Sequence, residues 1–106
     1  MKIFGSPYTQ KHGKGAFQYP KSDDHFAWKY LPEKIDILIT HGPPFGILDK
    51  TLKGDHVGSM GLMKAVQRIR PKLHIFGHIH EGHGKIEKSG TIFMNVAKKY
   101  EVIDFK

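Results

Sequence analysis

The stretch LHIFGHIHEGHG, residues 73–84, places an apolar run directly before a cluster of imidazoles. Its apolar residues 73–76 predict a buried strand, and the polar chemistry begins where that strand ends. His78 and His80 are two residues apart, so their side chains would point to the same side if the extended conformation continued past Gly77. Such a pair would suit metal ligation.

A second stretch, IDILITHGPP at residues 35–44, repeats this design. Residues 35–40 are β-branched and apolar with almost no interruption, and they predict a strand buried on both faces and covered by helices. The strand should end at His41, because Pro43 and Pro44 lack amide donors and push the preceding backbone towards extended dihedrals.

A loop and a helix are predicted between these two strands. Residues 45–58 form the loop, and Ser59 can cap a helix that runs to about Arg70. The helix has an apolar face formed by Leu62, Ala65, Val66 and Ile69. Strand, helix and strand predict a βαβ unit with parallel strands and a right-handed crossover. The carboxyl ends of parallel strands share one edge of the sheet, so His41 and His78 should meet there.

The segment before the βαβ unit predicts little regular structure. Residues 2–4 predict a short strand broken at Gly5, and Ser22 or Asp23 can cap a short helix. We interpret the nearby aromatic residues as packing that covers a sheet edge rather than as a base-stacking platform. They are Phe17, Tyr19, Phe26, Trp28 and Tyr30.

The segment after the imidazole cluster predicts antiparallel strands. Residues 85–88 and 91–96 flank a turn at Ser89-Gly90, which indicates a hairpin, and residues 100–105 predict a last strand. The predicted fold class is therefore α/β, with a mixed sheet that combines a βαβ unit and C-terminal antiparallel strands.

Composition limits the class of protein. The chain has 106 residues and no cysteine, so it can form one domain, residues 1–106, without disulfides or thiolate ligands. It contains no apolar run of membrane-spanning length and no signal-peptide pattern, so we expect a cytoplasmic protein without membrane contact. The formal charge of +7 would suit nucleic acid. The basic residues are dispersed, however, and we interpret them as a solvated surface.

The histidines differ in their context. His41, His78 and His80 are predicted to converge from two strand ends, and imidazole nitrogens of this kind suit Zn, Fe or Mn. His56, in the glycine-bearing loop, and Gly42 are candidate contacts for a substrate phosphate. His74 lies inside a predicted strand and is interpreted as a core residue. His83 is interpreted as an exposed residue, and His12 and His25 have no context that marks them.

Two motifs carry a family resemblance. THGPP at residues 40–44, followed by GHIHEGHG at residues 77–84, resembles the two C-terminal motifs of the calcineurin-like metallophosphoesterases, in the branch related to cyclic-nucleotide phosphodiesterases. The resemblance implies half of a β-sandwich and a two-metal phosphoester hydrolase acting on a phosphodiester or phosphomonoester, nucleotides among them. It also implies that His41 and His78 bind one metal ion, Mn, Fe or Zn, and that His80 binds the other.

The family's N-terminal motifs are missing from this chain. Asp23-Asp24-His25 and Gly54-Asp55 imitate parts of them, but neither follows an apolar strand, and we interpret both as coincidences. The motif with the leaving-group histidine is absent, so no catalytic residue is assigned. The resemblance thus implies that this chain is the C-terminal half of the family domain and that an N-terminal half is its partner in a complete protein. It also implies that the chain alone binds at most one metal ion and has little activity. A basic nucleic-acid-binding module and a structural remnant are the alternatives.

Overall fold

The described part of the chain is built on one mixed β-sheet. The computed structural model describes residues 1–11, 13 and 15–97. In chain order, its strands are β1 (Ile3–Ser6), β2 (Thr9–Gln10), β3 (Gln18–Tyr19), β4 (Ile37–Thr40), β5 (Leu73–Phe76), β6 (Gly84–Lys88) and β7 (Thr91–Asn95). Within the described residues, five strands form the main sheet in the order β1-β4-β5-β7-β6. All neighbours are parallel except β6 and β7, while β2 and β3 form a separate parallel pair.

The predicted βαβ unit is present. Helix α2 (Met60–Ile69) connects β4 to β5, and the Ser59 hydroxyl accepts a hydrogen bond of 2.9 Å from the Leu62 amide at its start. The helix ends at Arg70, whose φ of 53° is left-handed. A shorter helix, α1 (Asp24–Ala27), follows a 3-10 turn and contacts α2. The α/β class, the mixed sheet, the βαβ unit and the antiparallel hairpin are confirmed.

The core lies on one face of the sheet. Leu38, Phe76 and Phe93 point to this face and are at most 2% exposed, where they pack with the apolar side of α2 and with Trp28. On the opposite face Ile39 is 42% exposed. The prediction that residues 35–40 are buried on both faces is therefore wrong, because α2 covers only the Leu38 side of the strand.

Three further expectations can be compared with the structure. Strand β1 continues through Gly5 to Ser6, because it pairs with β4 along its whole length. Of the five aromatic residues, only Trp28 is buried, whereas Phe17, Phe26 and Tyr30 are more than half exposed. The predicted aromatic cover is therefore wrong for these three. The strand predicted at 100–105 and His12 lie outside the described residues.

The hairpin has the turn that its sequence indicates. Ser89 and Gly90 both have positive φ, 53° and 85°, as a two-residue turn between right-twisted strands requires. Within the described residues, no helix has the length and apolar character needed to cross a bilayer.

Candidate functional site

Two imidazoles meet at the carboxyl edge of the sheet. His41 follows β4 and His78 lies two residues beyond β5, and these strands are adjacent and parallel. Nε2 of His41 lies 3.1 Å from Nδ1 of His78, and the ring centroids are 4.8 Å apart. The Gly77 amide donates a hydrogen bond of 3.0 Å to the His41 carbonyl, which joins the two strand ends directly. The parallel register thus brings these two side chains together.

The backbone turns sharply between His78 and His80. The Ile79 amide donates to the Gly77 carbonyl at 2.8 Å, and His78 between them has a φ of 72°, so residues 77–79 form a γ-turn. This turn is rare and strained for a residue with a side chain. His80 then begins a 3-10 helix, His80–Gly82. The extended conformation therefore ends at Gly77, and the condition for His78 and His80 to share a side is not met.

The spacing of the two imidazole nitrogens can be compared with that of ligands in a metal site. Two nitrogens that bind one divalent ion at about 2.1 Å, with about 90 to 110° between them, lie about 3.0 to 3.4 Å apart. The separation of 3.1 Å falls in this range. Among residues 1–11, 13 and 15–97, however, no group of three or more histidine or carboxylate side chains is arranged to hold a metal. The described residues thus bring two imidazole nitrogens to hydrogen-bonding distance, and they group no third histidine or carboxylate side chain with this pair.

A buried histidine supports the loop that carries His41. The Thr40 hydroxyl donates to the Gly42 carbonyl at 2.8 Å, so it accepts from Nε2 of His74, 2.9 Å away. This assigns the tautomer of His74 with the proton on Nε2. His74 is fully buried, and burial lowers its pKa from 6.5 to about 3. As its position in the predicted strand suggested, His74 is a core residue, and it fixes the backbone on both sides of His41.

Asn95, at the end of β7, holds the other side of the site. It is 1% exposed, and its amide nitrogen donates to the carbonyls of Leu48 at 3.0 Å and Ile79 at 2.9 Å. Its amide oxygen accepts from the Ala97 amide at 3.0 Å. One side chain thus connects the long loop to the turn that presents His78. The sequence offered one signal for this role, because Asn95 ends a strand at the same sheet edge.

A cavity of about 510 Å³ lies beside the two imidazoles. His56, Gly42 and His78 all line it, so the structure gathers the two predicted substrate contacts and one predicted ligand around a single space. Lys11 and Lys21 also line it, while no Asp or Glu of the described residues does. The cavity therefore presents mostly neutral and basic groups, which suits an anionic ligand.

Asp24 holds two of the residues that line the cavity, Tyr19 and Ser59. Its carboxylate accepts from the Tyr19 hydroxyl, from the Ser59 hydroxyl at 2.5 Å and from the Gly61 amide at 2.9 Å. Burial and the hydrogen bond to Asp24 raise the pKa of Tyr19. Trp28 donates to the Tyr19 hydroxyl at 2.8 Å. Asp24 thus stabilises the start of α2, where a carboxylate is favoured. Residues 23–25, which imitate part of a family motif, therefore have a structural role through Asp24.

The buried His74 should make stability depend on pH. An unfolded imidazole takes up a proton below about pH 6.5, whereas the folded ring does so only near pH 3. As the pH falls through this window, the unfolded state binds more protons, so the free energy of unfolding should fall by up to about 1.4 kcal/mol per pH unit. Urea unfolding between pH 7 and 5 measures this slope.

Two variants isolate the contribution of His74. His74→Gln keeps an N–H donor but cannot be charged, so its slope should be flatter than that of the parent. His25→Gln replaces an exposed imidazole and should keep the parent slope. Equal slopes in the parent and His74→Gln would contradict the assignment of the pH dependence to His74.

Known proteins resemble this chain. "Probable rhamnogalacturonate lyase C" of Emericella nidulans is 51% identical over 87 residues, which are 80% of this chain and 8% of that protein. Metallophosphoesterase domain-containing protein 1 of Homo sapiens is 41% identical over 100 residues, 92% of this chain and 31% of that protein. A UPF0046 protein of Caenorhabditis elegans is 37% identical over 108 residues, 100% of this chain and 27% of that protein. No family model matches the chain.

The fold also has a counterpart among solved structures. One crystal structure is similar with a TM-score of 0.58 and 25% sequence identity, over 90% of this chain and 39% of the other. Fold and relatives agree on the class: the chain belongs to the metallophosphoesterase-domain family. It spans about a third of the length of the relatives that carry this name, and less than a tenth of the lyase-named one. The resemblance of the two histidine motifs to this family is therefore confirmed as a family assignment.

Proposed function

We propose that this chain contributes the histidine-bearing part of a metal-dependent phosphoesterase site. The observation that carries the proposal is the His41–His78 pair, with ring nitrogens 3.1 Å apart beside a cavity that lacks acidic lining among the described residues. The substrate class is a phosphomonoester or phosphodiester, including nucleotides. Ligands that complete the site would come from polypeptide outside these 106 residues.

The metal ion would be held first by Nε2 of His41 and Nδ1 of His78. A divalent Mn, Fe or Zn ion in this position would neutralise phosphoryl charge and lower the pKa of water. His80 remains the predicted ligand of a second ion. Among the described residues no group of three or more histidine or carboxylate side chains is arranged to hold a metal, so the chain alone should bind one ion at most.

The residues around the pair have defined tasks in this proposal. His74 and Thr40 hold the backbone on both sides of His41, and Asn95 holds the carbonyl that follows His78. Preorganised ligands of this kind spare a metal site the cost of ordering them on binding. Lys11 and Lys21 on the cavity wall would attract the anionic substrate. No side chain of the chain is needed as a covalent nucleophile.

Calorimetric titration with Mn²⁺ and Zn²⁺ tests the proposal. We expect the parent chain to bind at most one ion, and His78→Ala to lose at least about tenfold in affinity, because one of two ligands is removed. His25→Ala, an exposed histidine remote in sequence from both motifs, is the matched control and should bind as the parent does. Unchanged binding in His78→Ala would contradict the proposed site.

Hydrolysis of an aryl phosphodiester is a second test of the proposed function. The isolated chain should hydrolyse it slowly or not at all, because two imidazoles cannot replace the remaining ligands of a two-metal centre. Turnover typical of a complete two-metal enzyme would show that the 106 residues suffice. The nucleic-acid-binding alternative predicts instead that salt-dependent binding of an oligonucleotide persists in His78→Ala.

A further inference from the structure

Asp49 is buried in the long loop and organises it. It is 1% exposed, and its Oδ2 accepts hydrogen bonds from the Gly46 amide at 2.9 Å and the Gly58 amide at 2.8 Å. Its Oδ1 lies 2.7 Å from Nδ1 of His56. A buried carboxylate requires compensation of its charge, and in the described structure two backbone amides and one imidazole provide it.

This contact sets the orientation of His56. Because the Asp49 oxygen can only accept, Nδ1 of His56 carries a proton and donates. Nε2 is then the ring nitrogen that remains available for a ligand. The His56 side chain is 45% exposed and lines the 510 Å³ cavity, and its ring packs against Phe45 with centroids 5.7 Å apart. The imidazole is therefore anchored at one nitrogen and open at the other.

The loop that carries the Asp49–His56 pair is fixed on its other side too. The Phe45 amide donates to the Ser59 carbonyl and the Ser59 amide to the Pro43 carbonyl, both at 3.0 Å. A Cβ atom on Gly58 would lie 2.4 Å from the Pro44 carbonyl oxygen, so only glycine allows this approach. The backbone on both sides of the loop is thus held against the end of β4, and His56 faces the cavity from a rigid support.

We propose that the Asp49–His56 pair is the phosphoryl-binding element of this cavity, with Nε2 of His56 donating to a phosphate oxygen. The proposal rests on the proposed phosphoesterase function and assigns the non-metal contact of its substrate. Donation from Nε2 uses the imidazolium form of the ring, in which Asp49 accepts from Nδ1 and the phosphate oxygen accepts from Nε2. Asp49 is a positioning residue in this arrangement.

The surrounding groups agree with an anionic ligand. Other titratable or charged side chains that line the cavity are Tyr8, Lys11, Tyr19, Lys21 and His78. None of them carries a negative charge at neutral pH in its ordinary state. A phosphate that contacts His56 would therefore meet positive or neutral groups along the wall, while the Asp49 carboxylate is buried and hydrogen-bonded to its own donors.

Inorganic phosphate and the ¹⁵N-labelled 106-residue chain test this inference in a buffer that contains a metal chelator. In ¹H–¹⁵N spectra of the histidine rings, the Nε2 signal of His56 should move saturably with phosphate, towards the imidazolium position. Chloride at the same ionic strength should not move it. An unmoved His56 signal under saturating phosphate would overturn the inference.

A matched pair of variants separates the contact from the fold. His56→Asn keeps an N–H that reaches Asp49 but has no group extending into the cavity, so we expect phosphate affinity to fall at least about tenfold. Its urea midpoint should stay at the parent value. His25→Asn should bind phosphate as the parent does. Parent-like phosphate binding by a folded His56→Asn would overturn the inference.

Asp49→Asn tests the positioning role, because it keeps an acceptor oxygen but removes the charge. The neutral amide no longer stabilises a positive charge on the His56 ring, so phosphate affinity should fall. If Asp49→Asn does not fold, the phosphate affinity of His56→Asn alone tests the inference. If phosphate does not shift the His56 signal, but metal binding is as expected, only this inference is refuted. If metal binding is the same in the parent and His78→Ala, but phosphate still shifts the His56 signal, only the proposed metal site is refuted.

Discussion

The Gly82→Ala variant should be less stable than the parent by about 3 kcal/mol, or should fail to fold. A Cβ atom at Gly82 would lie 2.1 Å from the Leu48 carbonyl oxygen, 2.7 Å from its carbon and 3.0 Å from the Asn95 amide nitrogen. The first two atoms belong to the backbone, and Asn95 is buried. Neither neighbour can move without breaking the hydrogen bonds between the loop and the end of β7.

Gly77→Ala is the matched control, because it lies in the same histidine motif. The nearest atoms to a Cβ there belong to Ala97 and are 3.8 Å away, which is ordinary contact. We expect its free energy of unfolding to stay within about 1 kcal/mol of the parent. Urea denaturation of both variants measures the difference. Similar losses in both would contradict the packing described around Gly82.

Asn95→Ala should also cost about 3 kcal/mol. The change removes the Asn95 donor from the part-buried carbonyls of Leu48 and Ile79, and the Asn95 acceptor from the buried Ala97 amide. The Ile79 carbonyl keeps the Gly82 amide as a donor, and each unsatisfied buried group costs about 1 to 3 kcal/mol. It should also weaken Mn²⁺ or Zn²⁺ binding in the molecules that stay folded, because the turn that presents His78 loses a support.

Gln10→Ala is the control for Asn95→Ala. Its amide nitrogen likewise donates to a loop carbonyl, that of Val57, at 3.0 Å, but the bond is exposed to water. Its free energy of unfolding should change by no more than about 0.5 kcal/mol. Chemical denaturation and metal titration of the two variants check both effects. Equal changes would mean that Asn95 acts as an ordinary surface amide.

Most of the fold could be predicted from local patterns. Helix α2 has a capping Ser59, an apolar face at helical spacing and a proline just after its end, and each of these signals acts over one or two turns. Strands β4 and β5 have the apolar runs of parallel strands, and Ser89-Gly90 suits the observed two-residue turn. The predicted burial of β4 on both faces failed, because the sequence of a strand does not say which elements cover it.

The candidate site was partly predictable. The meeting of His41 and His78 follows from two strand ends in a parallel pair, and the structure brings their nitrogens to 3.1 Å. The position of His80 did not follow, because a γ-turn at His78 replaces the expected extended backbone. The Ile79 carbonyl at the end of this turn accepts hydrogen bonds from the Gly82 amide and from Asn95, a partner 16 residues away. No sequence pattern within residues 77–80 indicates the hydrogen bond from Asn95.

The sequence by itself determined the elements whose signals are local: the two apolar strands, the capped helix between them, the hairpin and the presence of histidines at both strand ends. Tertiary structure alone decided the turn at His78, the anchoring of His56 by Asp49 and the clash that would follow at Gly82. The physical reason is the same in each case. These features depend on hydrogen bonds and close contacts between residues far apart in the chain, and such contacts exist only when the sheet and the loop pack together.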